Sequence, residues 1–366
     1  MFLSFFAAVL CHAADTPAKP APDVLIFTDG EKLIGQLISA TDTGLVFVSA
    51  IGFQVQAPWT SVKELHSEKR FAAIPKNIVY RKPGDEKLVP LGSIELADKA
   101  LNVSDAPAAA PKSVPLDNVY RLLQEGDFRK GMEKAGVFQN WTGNATIGIA
   151  YQSATVNNRA VNSSVTLTRN DPAQDWRTLR NRTGISFSSA YSVTTISGSG
   201  DLKTSLYHLD VAQDHFFKSR LFGFADATLD HNTGQGVDLV QAYGAGMGVT
   251  VVKTARTLFE VRSEMSFMDQ NYVDPRMNRK LIGSRFLQSY TYTFKNGISF
   301  REGGGVRPAW NDQRYIYSAG GATVIIPVYK RIGVNVVAMD NFVNNTPRPL
   351  KKNIFQLSVG ASYTFK

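Results

Sequence analysis

Three of the five histidines stand beside carboxylates: "HLD" at 208–210, "DH" at 214–215 and "DH" at 230–231. Imidazole and carboxylate together can bind a divalent metal. The other two, His12 and His66, have no such company. If these segments are strands, His215 falls near one turn and His231 near the next. They then stand a strand's length apart and cannot share one ion with His208. No metal and no cofactor is therefore expected.

Nucleophilic chemistry finds as little support. No G-x-S-x-G elbow singles out one of the many serines. "REGGGVRP" (301–308) has three consecutive glycines but no following helix signal, so a phosphate loop is not expected. Within a strand such glycines permit a bend or leave space. No catalytic residue is expected, and the chain is read as not an enzyme.

Charge says more. Lys and Arg number 40 against 31 Asp and Glu, a formal balance of +9. Residues 15–137 carry 15 basic and 16 acidic groups, so the excess sits almost wholly beyond them. It has two possible homes. Arg276, Arg279, Lys280, Arg348, Lys351 and Lys352 could meet lipopolysaccharide phosphates from loops. Arg180, Arg182, Arg262, Arg301 and Arg307 could instead line a lumen, where arginine rings favour anions. Glu260 and Glu264 flank Arg262 at a spacing of two, which predicts a charge-paired plug over at least part of that lumen. No basic helix or RNA motif accompanies the charge, so nucleic acid is not an expected partner.

These residues need a frame to hold them. Past the first few positions there is no 18-residue apolar run, and mean hydropathy is -0.14, which excludes transmembrane helices. From Trp141 onward, alternating segments of about ten to fifteen residues recur between Gly, Asn, Asp and Pro. We count twelve, an even number, as a closed bacterial outer-membrane barrel has. In the sixth, Leu239, Tyr243, Ala245, Met247, Val249 and Val251 oppose Gly244, Gly246, Gly248 and Thr250. In the seventh, Phe259, Val261, Met265 and Phe267 oppose Glu260, Arg262, Glu264 and Ser266. Short links such as "KNG" (295–297) alternate with long ones such as "TTISGSGD" (194–201) and "DQNYVDPRMNRKLIG" (269–283), as periplasmic turns and extracellular loops would. Trp141, Tyr151, Tyr191, Tyr243, Tyr290, Tyr292, Trp310, Tyr315 and Tyr363 suit a membrane–water boundary.

The expected fold is all-β: a twelve-stranded antiparallel transmembrane β-barrel preceded by a small SH3-like or Sm-like β module. Residues 1–14 are expected to be a signal peptide, with the lone Cys11 inside it. Residues 15–100 are expected to form a periplasmic β module whose five-stranded sheet spans 23–66. Its Asp29-Gly30 hairpin precedes a core of Ile26, Leu33, Ile38, Phe47, Val55 and Trp59. Residues 101–137 read as a Pro/Ala-rich linker and a short helix capped by Asp117, and 138–366 as the barrel.

The module "DVLIFTDGEKLIGQL" followed by "VFQNWTGNATIGI" resembles the salt-induced outer-membrane protein family of unknown function. That resemblance implies an outer-membrane barrel and supplies no substrate or catalytic residue. The last segment, "IFQLSVGASYTFK", puts Tyr363 and Phe365 on its apolar face. Its Tyr-x-Phe ending resembles the signal read by barrel-assembly machinery, although Lys366 follows. Expected partners are thus outer-membrane lipid, lipopolysaccharide and that machinery. The expected role is structural, or passive transport of small solutes through a narrow pore. The alternatives are a secreted or periplasmic all-β binding protein, and a barrel enzyme acting on lipid or peptide.

Overall fold

The computed structural model describes residues 21–76, 84–106, 110–152, 156–196, 200–312, 316–344 and 352–365. The expected signal peptide, Tyr315, Arg348, Lys351 and Lys366 lie outside them, as does the Tyr151 side chain. No helix among the described residues is long and apolar enough to cross a membrane. The chain divides into two compact units, Met1–Lys134 and Ala135–Lys366.

The first unit is one sheet of nine strands: β1 (Asp23–Phe27), β2 (Lys32–Thr41), β3 (Gly44–Ser49), β4 (Gln54–Pro58), β5 (Val62–Pro75), β6 (Leu91–Ala97), β7 (Ala100–Ser104), β8 (Lys112–Pro115) and β9 (Val119–Gln124). β1 pairs with β2 and β5, and β9 also pairs with both, so these four close a small ring. β3 and β4 extend it on one side, β6 to β8 on the other. The expected linker is therefore wrong in part. Pro and Ala in 104–115 obscure the short strands β7 and β8, whose buried residues, among the described ones, are Leu101, Val103 and Val114. The helix α1 is Glu125–Met132; it follows Gln124, and Asp117 lies instead in a short 3-10 turn. Arg70 ties α1 down through Glu125 and also binds Asp105, holding both carboxyls below the usual carboxylate range.

Gly30 and Gly52 take positive φ (89° and 91°) in the first and third hairpin turns, where a side chain would be strained. Phe47 is fully buried as expected, beside Leu25, Leu37, Leu65 and Phe71. Ile26 and Ile38 were expected inside, yet Leu25 and Leu37 take those places and Ile38 is 40% exposed. A bulge between Leu37 and Ser39 moves the pattern, and one residue of slip exchanges the faces.

The second unit is a closed antiparallel barrel of twelve strands, each bonded to its sequence neighbour, with the last returning to the first. They are β10 (Trp141–Gln152), β11 (Val156–Asp171), β12 (Asn181–Ile196), β13 (Gly200–Phe216), β14 (Leu221–Asn232), β15 (Val237–Lys253), β16 (Thr257–Tyr272), β17 (Arg279–Thr293), β18 (Ser299–Pro308), β19 (Ile316–Tyr329), β20 (Ile332–Val343) and β21 (Asn353–Phe365). We call the end where β10 starts proximal and the other distal.

The expected contrast in loop length does not hold. Strands run further than the sequence suggests, so the distal link expected at 269–283 shrinks to 273–278, while the proximal link 172–180 is longer. Polar residues near strand ends continue the ladder because the neighbouring strand satisfies their backbone, whatever their side chains. What argues for the membrane is the exterior. Ile147, Ile149, Met265, Phe355, Leu357 and Val359 are all more than half exposed and face outward at a period of two. Among the described residues of this unit, no two sheets pack apolar faces together as a soluble sandwich would. Polar groups on this outer face satisfy one another: Ser163 with Ser189 at 2.8 Å, and Gln288 with Glu302 at 3.0 Å.

Candidate functional site

The alternation that sends apolar residues outward turns the other face of each strand into the barrel. Contacts between strands that are not neighbours prove where those side chains point. Arg182 on β12 donates to both Glu260 oxygens on β16, at 3.0 and 2.8 Å, although three strands stand between them. Its Nε reaches Asp214 on β13 at 2.7 Å. Arg262 on β16 donates to both Asp214 oxygens, at 2.9 and 3.1 Å, and lies 3.5 Å from Glu260. Thr250 donates to Glu260 at 3.0 Å. Two arginines and two carboxylates thus form one closed ionic cluster in the proximal half.

Aromatic rings brace it. The Arg182 guanidinium lies 5.3 Å from the Phe216 ring and 5.4 Å from Phe222. That of Arg262 lies 5.0 Å from Phe222 and 5.1 Å from Phe224. The space for the Phe222 ring comes from Gly248, whose side chain, if it had one, would overlap that ring. Gly244 likewise leaves room for Asp226 and Glu264.

A second cluster lies further toward the distal end. Arg285 on β17 meets Asp226 on β14 at 2.7 Å and Glu264 at 3.5 Å, and Arg307 on β18 lies 3.8 Å from Glu264. His208 bonds Asp230 at 2.5 Å on the inward face of β13 and β14. Arg279 pairs with Asp312 at 2.8 Å, and exposed Arg276 with Asp274, whose carboxyl it holds below the usual range.

Of the residues singled out from the sequence, Arg182, Glu260 and Arg262 share the first cluster, and Glu264 and Arg307 the second. Arg301 reaches across to Asn144 Oδ1 on β10 at 2.8 Å. Arg180 does not join them; it is exposed in the link before β12. Tyr363 and Phe365 face outward, with rings 5.2 Å apart and edge-on. The counter-ions Asp214 and Asp226 and the cation Arg285 were missed. Inward parity on their strands was the available signal, and for Asp214 it was spent on a metal reading of "DH". Among the described residues no three His, Cys, Asp or Glu gather as a metal site.

One Ser–His contact does exist. On the outer face Ser205 Oγ lies 3.0 Å from His231 Nε2, and His231 Nδ1 lies 2.6 Å from the Asp238 carbonyl. The Ser205 amide is donated to Thr233 Oγ1 at 2.8 Å, and the Thr233 hydroxyl returns a bond to the Ser205 carbonyl. That amide is therefore committed to a turn and does not supply an oxyanion donor.

The two halves of the interior differ. Asp214, Glu260, Glu264, Ser266 and Arg307 are buried against one another on the β13–β18 side. Facing them, the inward row of β11, and of β12 beyond Arg182, is small and uncharged, including Asn162, Ser164, Ser186 and Ser188, and is partly exposed to the interior. On the outer wall, Gly303, Gly304 and Gly305 pair with Gly321, Gly320 and Ala319, so the wall there is nearly bare of side chains. A groove of about 720 Å³ opens over it, lined by Met247, Val249, Phe286 and Val306 among others.

A closed barrel with an apolar exterior and a polar interior is the build of an outer-membrane β-barrel protein. Several solved structures are similar in fold. An outer membrane channel from Pseudomonas putida F1 is 12% identical, with a TM-score of 0.38, covering 63% of this chain and 100% of the other. The NanC porin is 10% identical, with a TM-score of 0.36, covering 61% and 99%. The beta domain of the Bordetella autotransporter BrkA is 12% identical, with a TM-score of 0.32, covering 62% and 99%. No curated protein matches the chain in sequence. Residues 145–365, nearly the whole barrel, match the protein family of unknown function DUF481, and the chain belongs to that family.

Proposed function

We propose that the protein is a narrow passive channel for small solutes in the outer membrane, a member of the salt-induced branch of such barrels. Its proximal end and N-terminal module would face the periplasm. The supporting observation is the divided interior: locked charge on one side, and a partly exposed wall of Ser, Thr, Asn and Gly on the other. Interior side chains of a barrel this size can fill it, so a path survives only where they are small. That is the side of β10, β11 and the part of β12 beyond Arg182.

Two measurements test the reading. The folded protein should need detergent for extraction and should migrate differently on a gel before and after boiling. In planar bilayers it should then give discrete conductance steps. Extraction by salt alone would remove the membrane assignment. Extraction by detergent without steps at any salt concentration would leave the structural envelope role.

Assembly is part of the same proposal. Tyr363 and Phe365 would be read by the barrel-assembly machinery, and lipid and lipopolysaccharide would surround the finished barrel. Phe365→Ala should lower the envelope level several-fold, whereas deletion of Lys366 should preserve it. Equal levels of all three proteins on an immunoblot would discard the signal.

A further inference from the structure

Five interior arginines are neutralised in place. Arg182 and Arg262 share Asp214 and Glu260, Arg285 and Arg307 share Asp226 and Glu264, and Arg279 has Asp312. Arg301 is built differently. Its Nη1 donates to the neutral Asn144 Oδ1 at 2.8 Å, and among the described residues it has no ion pair. The two residues lie on β18 and β10, with β19, β20 and β21 between them, so the guanidinium spans a chord of the lumen. Arg301 is also exposed, whereas Arg307, three positions along the same inward row, is 6% exposed. Since Arg301 points inward, the exposure is to the interior.

We infer that Arg301 forms the anion-selective site of the channel, favouring small solutes that carry a carboxylate or a phosphate. The inference rests on the channel reading above. A charge confined beside a narrow path acts on every passing ion, and a paired charge cancels itself at short range. Among the described residues, Arg301 is the interior arginine that keeps an uncancelled positive field at the proximal end. It stands with Asn144, whose own strand begins the small-residue wall along which the path runs. The ligand chemistry follows from the guanidinium, which offers a planar fork of N–H donors suited to carboxylate and phosphate oxygens. Arg262, equally central in the sequence, has no such role because Asp214 occupies its fork.

The test is the reversal potential across a planar bilayer holding the full-length protein in a potassium chloride gradient. The wild type should prefer chloride. Arg301→Gln should lower the anion-to-cation permeability ratio about tenfold, since a unit charge at roughly 6 Å in water favours an anion about threefold and disfavours a cation by the same factor. Arg301→Lys should keep the preference. Asn144→Asp should lower the ratio by the same factor while leaving Arg301 in place, because it sets a carboxylate of the same shape against the guanidinium. This second variant answers the question even if the first does not fold, as judged by gel migration. Steps that persist with an unchanged ratio in Arg301→Gln or Asn144→Asp would overturn the assignment and leave the channel standing. A wild type without steps would take down the channel reading and this inference together.

Discussion

Glu260→Ala is expected to destabilise the barrel by about 3–5 kcal/mol, the cost of leaving buried charge without its partner. Its side chain is 4% exposed and receives both terminal nitrogens of Arg182. With it gone, Arg182 and Arg262 share Asp214 alone, and Thr250 loses an acceptor. The aromatic rings beside the guanidiniums exclude the water that might replace the carboxylate. Urea unfolding of wild type and variant in lipid vesicles, followed by tryptophan fluorescence, measures the loss. A change under about 1 kcal/mol, the worth of a solvated pair, would mean that this cluster is hydrated and not a lock. Adding Arg182→Leu should recover part of the loss, since the two residues act through one network.

The second large effect belongs to the N-terminal unit. Asp23 is fully buried, accepting from the Leu37 amide at 2.6 Å and the Ser67 hydroxyl at 2.5 Å, with Lys69 3.8 Å away. It joins three strands, β1, β2 and β5, through one side chain. Asp23→Ala would strand two buried donors, at about 1–3 kcal/mol each. Calorimetry of the full chain should show the transition of this unit falling by more than about 10 °C while that of the barrel stays. If both transitions move together, or neither does, Asp23 does not act as this local tie.

How much of this could be read in advance depends on the range of the interaction. The twelve barrel strands were legible because an outward row is a local signal: Phe355, Leu357 and Val359 announce their strand without help from any other. The interior was legible only as types. Arg262 between Glu260 and Glu264 suggested pairing, yet the partners that matter, Asp214 for Arg262 and Arg182 for Glu260, come from other strands. Spacing along one strand carries no information about which residue faces it across a lumen. In the N-terminal unit, composition misled at 101–137. Short strands need few apolar residues when a neighbour supplies the ladder, so β7 and β8 looked like a linker, and β9 like the start of a helix.

The unequal interior has a mechanical meaning as well. From β12 to β18, cross-lumen ion pairs stitch the wall to itself, like spokes that hold an arc of a wheel. Where β18 meets β19, glycines face one another, and the wall is a bare backbone ribbon. Such a tube is stiff on one side and has a crease at its edge. Lateral pressure from the bilayer would therefore be taken up as flattening at the crease, and the bore would change width on the small-residue side while the braced arc keeps its shape.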